Sequence, residues 1–210
     1  MIFNIAAAIV IGYLLGSIPF AYIVARLKKG VDIRQKGGGN AGALNTWREV
    51  GTVYGLAVLI ADIAKGALAV LIAGWLGLSP VWTGVVGFAA VAGHNWPCFL
   101  GFRGGKGAAT VIGVLLPLAP VEWVISLGIF IVLIIITHNA RFSLVGLVFI
   151  PLGAWLFDKS LFNIVYPLVL LLFLVIRTLV GLKEELARTG DKKNLIFDRG
   201  YHFWQTKKAK

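Results

Sequence analysis

The sequence predicts an all-α, polytopic membrane helix bundle with about seven transmembrane helices, its N-terminus outside and its C-terminus in the cytoplasm. Hydrophobic residues make up 59% of the 210 residues and the mean hydropathy is +0.87, whereas soluble domains are about 45–50% apolar. Apolar stretches of the kind that cross about 30 Å of hydrocarbon recur along the chain. All but two of the 20 Lys and Arg residues lie on one side of these stretches, as the positive-inside rule requires of cytoplasmic segments.

Each apolar stretch is predicted to form one helix. The first is expected to be retained in the membrane, because a cleaved signal peptide has basic residues before its apolar run, whereas here Arg26, Lys28 and Lys29 follow the run. The third and fourth stretches are short, since motif residues interrupt them. The seven predicted helices span residues 2–25, 52–76, 81–93, 107–119, 121–137, 141–157 and 161–181.

Basic residues concentrate in two loops, 26–51 and 94–110, and in the tail 182–210. We therefore expect residues 1–181 to form a membrane domain with both loops on the cytoplasmic face, followed by a basic cytoplasmic tail. The net charge of +11 then reflects topology and attraction to anionic lipids and substrates. It requires no nucleic acid as a partner.

Two charged residues, Asp62 and Lys65, lie inside the second predicted helix. Their spacing of three positions places them on one helical face. Charges within the membrane are costly, so they pair with each other or face a polar cavity. Both interpretations stand at this point: a mutual pair that joins neighbouring helices, or a part of a functional site.

A glycine-rich segment in the first loop predicts a phosphate-binding site. Successive glycines let backbone N–H groups converge on one point, and a following arginine can bind phosphate oxygens with two hydrogen bonds. The alternative is a flexible loop whose arginine only obeys the positive-inside rule. The residues that we assign to this site are Gly37, Gly38, Gly39, Asn40, Asn45 and Arg48.

A second segment with the same character occupies the second loop. Its glycines permit close backbone approach, and a lysine between them lies just before a predicted helix N-terminus, where anions bind. It is not a P-loop, since the first glycine of that motif is absent and Ala108 replaces its hydroxyl residue. The alternative for the histidine is an interfacial residue bonded to a backbone carbonyl. The residues assigned here are His94, Gly104, Gly105, Lys106 and Gly107.

Other kinds of site lack support in the sequence. Cys98 is the single cysteine, so neither an internal disulfide nor a cysteine-based metal site can form. The nine acidic residues show no metal-ligand spacing, and no nucleophile elbow or catalytic triad pattern is present. We therefore expect no metal and no cofactor.

At these two segments the chain resembles the bacterial acyl-phosphate:glycerol-3-phosphate acyltransferases, which are small seven-span membrane enzymes of phospholipid synthesis. The resemblance covers the two segments, 37–48 and 93–110, together with 16–20, 54–55 and 62–66. It implies transfer of a fatty acyl group from acyl phosphate to the 1-hydroxyl of glycerol 3-phosphate, with lysophosphatidate and phosphate as products.

The resemblance also implies roles and a location. Arg48 and Lys106 would hold phosphates, the glycines would supply N–H donors, and Asn40, Asn45 and His94 would orient the substrates. The donor's own phosphate would accept the hydroxyl proton, which removes the need for a triad. The implied location is the bacterial inner (cell) membrane, with the active site on the cytoplasmic face and membrane lipids as partners.

The chain departs from the family pattern at four positions. Gly38 stands where the family has Ser, and Leu44 stands where it has Thr. At the end of the last predicted helix the family reads Arg-His-x-x-Asn, whereas this chain has Thr178 and Gly181 at the two polar positions. These positions concern the acceptor more than the phosphate chemistry. A member with another acceptor, and a non-enzymatic anion transporter or phospho-ligand binder, therefore stand as alternatives.

Overall fold

The computed structural model describes residues 2–137 and 144–189, with side chains described up to Gly181. Within these residues the fold is helical, with no strand. Short 3-10 turns cover Ile33–Gln35, Cys98–Leu100 and Leu144–Val148. The α-helices are α1 (Ile2–Ser17), α2 (Phe20–Lys29), α3 (Ala43–Glu49), α4 (Thr52–Trp75), α5 (Pro80–Asn95), α6 (Ala108–Leu118), α7 (Pro120–Thr137), α8 (Phe149–Leu156) and α9 (Leu161–Thr189).

The first predicted helix, 2–25, is in fact two helices. α1 ends at Ser17 and α2 begins at Phe20, because a proline disfavours helical backbone at the residue before it and has no N–H of its own. The break leaves the Ile18 carbonyl outside the regular helix ladder, where it accepts a hydrogen bond from Lys65 Nζ at 3.1 Å. The break at Pro19 thus places a polar backbone carbonyl inside the bundle.

The other predicted helices match in position, with shifted ends. The range 52–76 corresponds to α4, 81–93 to α5, 107–119 to α6 and 121–137 to α7. In the range 141–157, residues 141–143 lie outside the described residues, and the rest forms a 3-10 turn followed by α8. α9 continues eight residues past the predicted end, to Thr189; the remainder of the tail, 190–210, lies outside the described residues.

Four helices of the described part are long and apolar enough to cross a membrane. They are Ile2–Lys29, which combines α1 and α2, α4, α7, and the segment Leu161–Gly181 of α9. Two shorter apolar segments, Ala108–Leu118 and Leu144–Leu156, accompany them. The count of seven spans and the orientation of the termini stay predictions.

Glycines join the helices that carry the two motif loops. A Cβ on Gly16 would collide with the backbone of Ala90, and one on Gly93 would collide with the Tyr13 carbonyl, so α1 and α5 touch through their backbones. α4 and α6 meet in the same way at Gly66 and Gly113. Small residues that allow such approach drive helix association in lipid. The resulting close-packed group of α1, α4, α5 and α6 gives both loops a rigid base.

Candidate active site

The second loop folds back onto the end of α5. The N–H of Gly104 donates to the Asn95 carbonyl at 3.1 Å, and the N–H of Gly105 donates to the His94 carbonyl at 3.0 Å. These bonds satisfy two carbonyls that the helix end leaves open. A Cβ on Gly104 would collide with the His94 carbonyl, and one on Gly105 would collide with the His94 imidazole. Glycine is therefore required at both positions because the loop lies directly against the helix end.

The expectation of converging, unused N–H donors is not met at four glycines of this structure. The N–H groups of Gly104 and Gly105 bond to the carbonyls of α5. In the first loop, the N–H of Gly38 donates to Asn45 Oδ1 at 2.9 Å and that of Gly39 donates to the Lys36 carbonyl at 2.9 Å. Their donors are used because the loops fold against themselves. These four glycines therefore contribute by allowing the loops to fold tightly.

Asn45 organises the first loop. Its Nδ2 donates to the carbonyls of Ile33 at 3.0 Å, Lys36 at 3.1 Å and Asn40 at 2.9 Å. Its Oδ1 accepts from Gly38, and the residue is buried. An amide has two N–H donors and one acceptor oxygen, so these contacts use all of its groups in this conformation. Asn45 thus holds the glycine segment in shape, whereas direct orientation of a substrate was expected from the resemblance.

Hydrogen bonds join the first loop to the second. The N–H of Ala41 donates to the Gly104 carbonyl at 3.2 Å. Arg34 Nη1 donates to the Leu100 carbonyl at 2.8 Å, while Asp32 holds the same guanidinium through an ion pair of 2.7 Å. The two glycine-rich segments, which lie at residues 37–48 and 93–110 of the chain, therefore form one structural unit.

The hydrogen bond between Asp32 and Arg34 also sets their protonation. It lowers the pKa of the Asp32 carboxyl below its ordinary value, and it raises the pKa of the Arg34 guanidinium. Both groups are therefore charged at neutral pH. The ion pair that links the loops is present under ordinary conditions.

A buried charged cluster lies beneath the junction of the two loops. Lys65 Nζ is 2.7 Å from Asp62 Oδ1, and His94 Nδ1 is 3.4 Å from the same oxygen. All three residues are buried, and Asp62 Oδ2 is buried with no hydrogen-bond partner. Of the two interpretations of Asp62 and Lys65, pairing is confirmed, and the pair also touches a residue of the second motif.

A small recess connects the cluster to both loops. Asp62, Lys65 and His94 line it together with residues of the α1–α2 break, and the loops contribute Ala41 and Gly104. The Lys65 ammonium also lies 5.7 Å from the centroid of the Phe20 ring. The charged cluster, the α1–α2 break and both loops thus surround one space at the base of the loops.

The two predicted phosphate-binding cations lie next to helix ends, Arg48 at the end of α3 and Lys106 just before the start of α6. Arg48 is in the last turn of α3 and is partly buried; α3 is held on α4 because Gly55 lies directly against Trp47. Lys106, also partly buried, precedes Gly107, which is the N-cap of α6 and whose φ of 91° requires glycine. The Lys106 side chain lies against Gly181 of α9.

Arg177 is a residue at this site that the sequence reasoning did not include. Its Nε donates to Asn95 Oδ1 at 2.9 Å, and its guanidinium lies 4.9 Å from the centroid of the Trp96 ring. Both contacts are with the start of the second loop. The available signal was its place as the Arg of the Arg-His-x-x-Asn stretch.

Within the described residues no group of three or more His, Cys, Asp and Glu side chains is arranged to hold a metal ion. The site contains instead a buried Asp–Lys–His cluster, two cations and two tightly folded glycine segments. Such an arrangement suits the binding of anionic groups and the alignment of reactants.

Comparison with known proteins identifies the family. The family model described as glycerol-3-phosphate acyltransferase matches residues 6–189. Glycerol-3-phosphate acyltransferase 1 of Dehalococcoides mccartyi is 42% identical over 198 residues, which are 91% of this chain and 95% of the relative. The glycerol-3-phosphate acyltransferase of Halalkalibacterium halodurans is 48% identical over 153 residues, 70% of this chain and 72% of the relative.

Solved structures agree with the sequence comparison. The crystal structure of PlsY, an integral membrane glycerol 3-phosphate acyltransferase, in its glycerol 3-phosphate form has a TM-score of 0.78 and 30% identity. The match covers 87% of this chain and 92% of that chain. The lysophosphatidic acid form has a TM-score of 0.75, 29% identity and the same coverage. This helical membrane protein therefore belongs to the glycerol-3-phosphate acyltransferase family.

Proposed function

We propose that the protein transfers a fatty acyl group from acyl phosphate to the 1-hydroxyl of glycerol 3-phosphate, forming lysophosphatidate and inorganic phosphate. The observation that carries the proposal is the junction of the two glycine-rich loops, joined at Ala41 and Gly104 above the cluster that contains His94. Both reactants carry a phosphate, so two anion-binding segments that form one unit suit a reaction between them.

The chemistry needs little from a protein nucleophile, because acyl phosphate is already activated. The 1-hydroxyl oxygen attacks the acyl carbon, and the bond from that carbon to the bridging phosphate oxygen breaks. The hydroxyl proton passes to the departing phosphate. Proximity of the reactants and stabilisation of the departing charge then provide the rate enhancement.

Each part of the site has a role in this scheme. Arg48 and Lys106 bind phosphate oxygens and neutralise the charge on the leaving group. The first turn of α6, entered through Gly107, adds backbone N–H groups that a helix start leaves unpaired. Gly37–Gly39 and Asn40 shape the first segment, which Asn45 holds. His94, oriented by Asp62 at 3.4 Å, borders the space in which the reactants meet. The scheme uses no metal and no cofactor.

The proposed location is the inner membrane of a bacterial cell, with the N-terminus outside and the site facing the cytoplasm. It is supported by the bacterial relatives and by the distribution of Lys and Arg. Single cysteines at Gln35 and Ser79, introduced in a Cys98→Ser background, test it in intact cells with a membrane-impermeant maleimide. We expect labelling at Ser79, and at Gln35 only after the cells are opened. The reverse pattern would contradict the orientation.

The activity is tested by release of inorganic phosphate from purified protein supplied with acyl phosphate and glycerol 3-phosphate. We expect release from the wild type, and a loss of at least a hundredfold in Lys106→Ala, because removal of one charge-stabilising group costs about 10²–10³ in rate. Lys159→Ala is the matched control, since Lys159 is exposed in a turn before α9. Wild-type release no faster than that of Lys106→Ala would reject the proposal.

The transporter alternative has a distinct outcome. Labelled glycerol 3-phosphate would then enter proteoliposomes that contain no acyl phosphate, and no acylated product would form. The enzyme proposal expects uptake no greater than that of protein-free liposomes. The break between α1 and α2 is the feature that makes this control worthwhile, because transporters use interrupted helices at their binding sites.

A further inference from the structure

We propose that the Lys106 side chain packs against the backbone of α9, and that Gly181 is a positioning residue which sets where the lysine ammonium lies. The inference rests on the proposed function, since it assigns Lys106 to phosphate. It adds a residue that is itself unable to contact a substrate through a side chain. Two independent contacts of α9 with the second loop carry the argument.

The first contact is between Gly181 and the Lys106 side chain. A Cβ added to Gly181 would lie 2.6 Å from Cε, 3.2 Å from Nζ and 3.4 Å from Cδ of Lys106. Three consecutive atoms at the end of the lysine therefore run across the bare backbone of α9. Any side chain at position 181 would occupy space that Lys106 now fills.

The second contact lies one helical turn earlier on the same face of α9. Arg177 donates to Asn95 Oδ1 and covers the Trp96 ring. Asn95 in turn accepts the Gly104 N–H through its carbonyl, and its Nδ2 would be 2.6 Å from a Cβ on Gly107. α9 thus holds the start of the second loop through a side chain and the end of the loop through its bare backbone.

Because Gly181 has no side chain, the Lys106 stem occupies the space next to the backbone of α9. Since the Coulomb energy between charges depends on their separation, a shift of the ammonium changes how well it stabilises phosphate. The residue at 181 therefore controls a distance in the site without touching the substrate.

We expect Gly181→Ala to keep or raise the thermal stability and to lower the activity. Alanine stabilises a helix relative to glycine, and the group that must move aside is the end of a flexible lysine. The thermal midpoint should therefore stay level or rise. The ammonium is displaced, however, and a displacement of about 1 Å in a catalytic site can lower the rate by about a hundredfold. We expect kcat/KM to fall at least about tenfold.

Gly128→Ala is the matched control, because Gly128 lies in α7 and a Cβ there would meet nothing within 4 Å. It should raise or keep the thermal midpoint and leave kcat/KM within twofold of wild type. A fall in activity common to both variants would show that the loss comes from general helix changes, and it would overturn the inference.

A second readout does not depend on catalysis. The full-length proteins are treated briefly with a water-soluble amine-acylating reagent, and peptide mass spectrometry gives the rate at Lys106 relative to exposed Lys159. We expect Gly181→Ala to raise the Lys106 rate at least about threefold, since displacement removes the cover of α9, and Gly128→Ala to leave it unchanged. An unchanged Lys106 rate in Gly181→Ala overturns the inference. If Gly181→Ala raises the acylation rate of Lys106 but the wild type releases no phosphate, the packing of Lys106 on α9 is supported and the proposed function is rejected.

Discussion

Removal of one member of the buried Asp62–Lys65 pair should destabilise the protein more than removal of both. The side chains are 2% and 3% exposed and 2.7 Å apart. Each charge is therefore balanced mainly by the other. A buried charge that loses its partner costs about 3–5 kcal/mol, whereas replacement of a whole buried pair is often neutral. For a domain of this size, at about 2–4 °C per kcal/mol, Asp62→Asn or Lys65→Met should lower the thermal midpoint by about 6–20 °C.

The assay is thermal unfolding of detergent-purified protein, followed by tryptophan fluorescence and circular dichroism. The double variant Asp62→Asn/Lys65→Met should unfold at a higher temperature than either single variant, because neither charge remains without a partner. Asp62→Asn should also lower activity more than Lys65→Met, since the carboxylate contacts His94. Single effects that simply add in the double variant would refute the coupling on which this reasoning depends.

Three further predictions follow from the loops. Gly105→Ala should lower both the thermal midpoint and kcat/KM, because its Cβ would enter the imidazole below it; Gly74→Ala, where a Cβ meets nothing within 4 Å, should lower neither. The Asp32–Arg34 pair should stabilise the protein above the unfolded pKa of the carboxyl, about 3.9, and lose that effect as pH falls through its lowered folded pKa. The midpoint difference between wild type and Asp32→Asn should therefore shrink below about pH 4, and a difference constant to pH 3 would contradict it. Arg177→Lys should reduce kcat/KM about fivefold or more, because lysine cannot reproduce the Nε hydrogen bond and the stacked plane together; wild-type kinetics in this variant would show that the contact is dispensable.

The helical class and most helix positions could be predicted because hydropathy and length directly reflect the cost of placing polar groups in hydrocarbon. The interruption at Ile18 and Pro19 was missed, since a proline within a long apolar run is compatible with either a kinked helix or a broken one. Its consequence, a carbonyl that accepts from Lys65, depends on where α4 packs, and local sequence does not encode that position.

The structure joins the two glycine-rich segments at Ala41 and Gly104, and the physical role of their glycines was only partly predicted. A run of glycines is compatible with a nest of N–H donors and equally with close backbone packing. The structure favours packing at Gly104 and Gly105, because the carbonyls that take their N–H groups lie on α5. Likewise, Arg177 reaches Asn95 across 82 positions of sequence, a contact that no local pattern reveals.

The most direct test of the proposed reaction is product analysis by mass spectrometry. Purified protein is given acyl phosphate with glycerol 3-phosphate, glycerol and other polyol phosphates together. We expect lysophosphatidate as the main acylated product, formed in equal amount with inorganic phosphate and absent in Lys106→Ala. Acylation of a different acceptor, or no lysophosphatidate above the Lys106→Ala background, would contradict it.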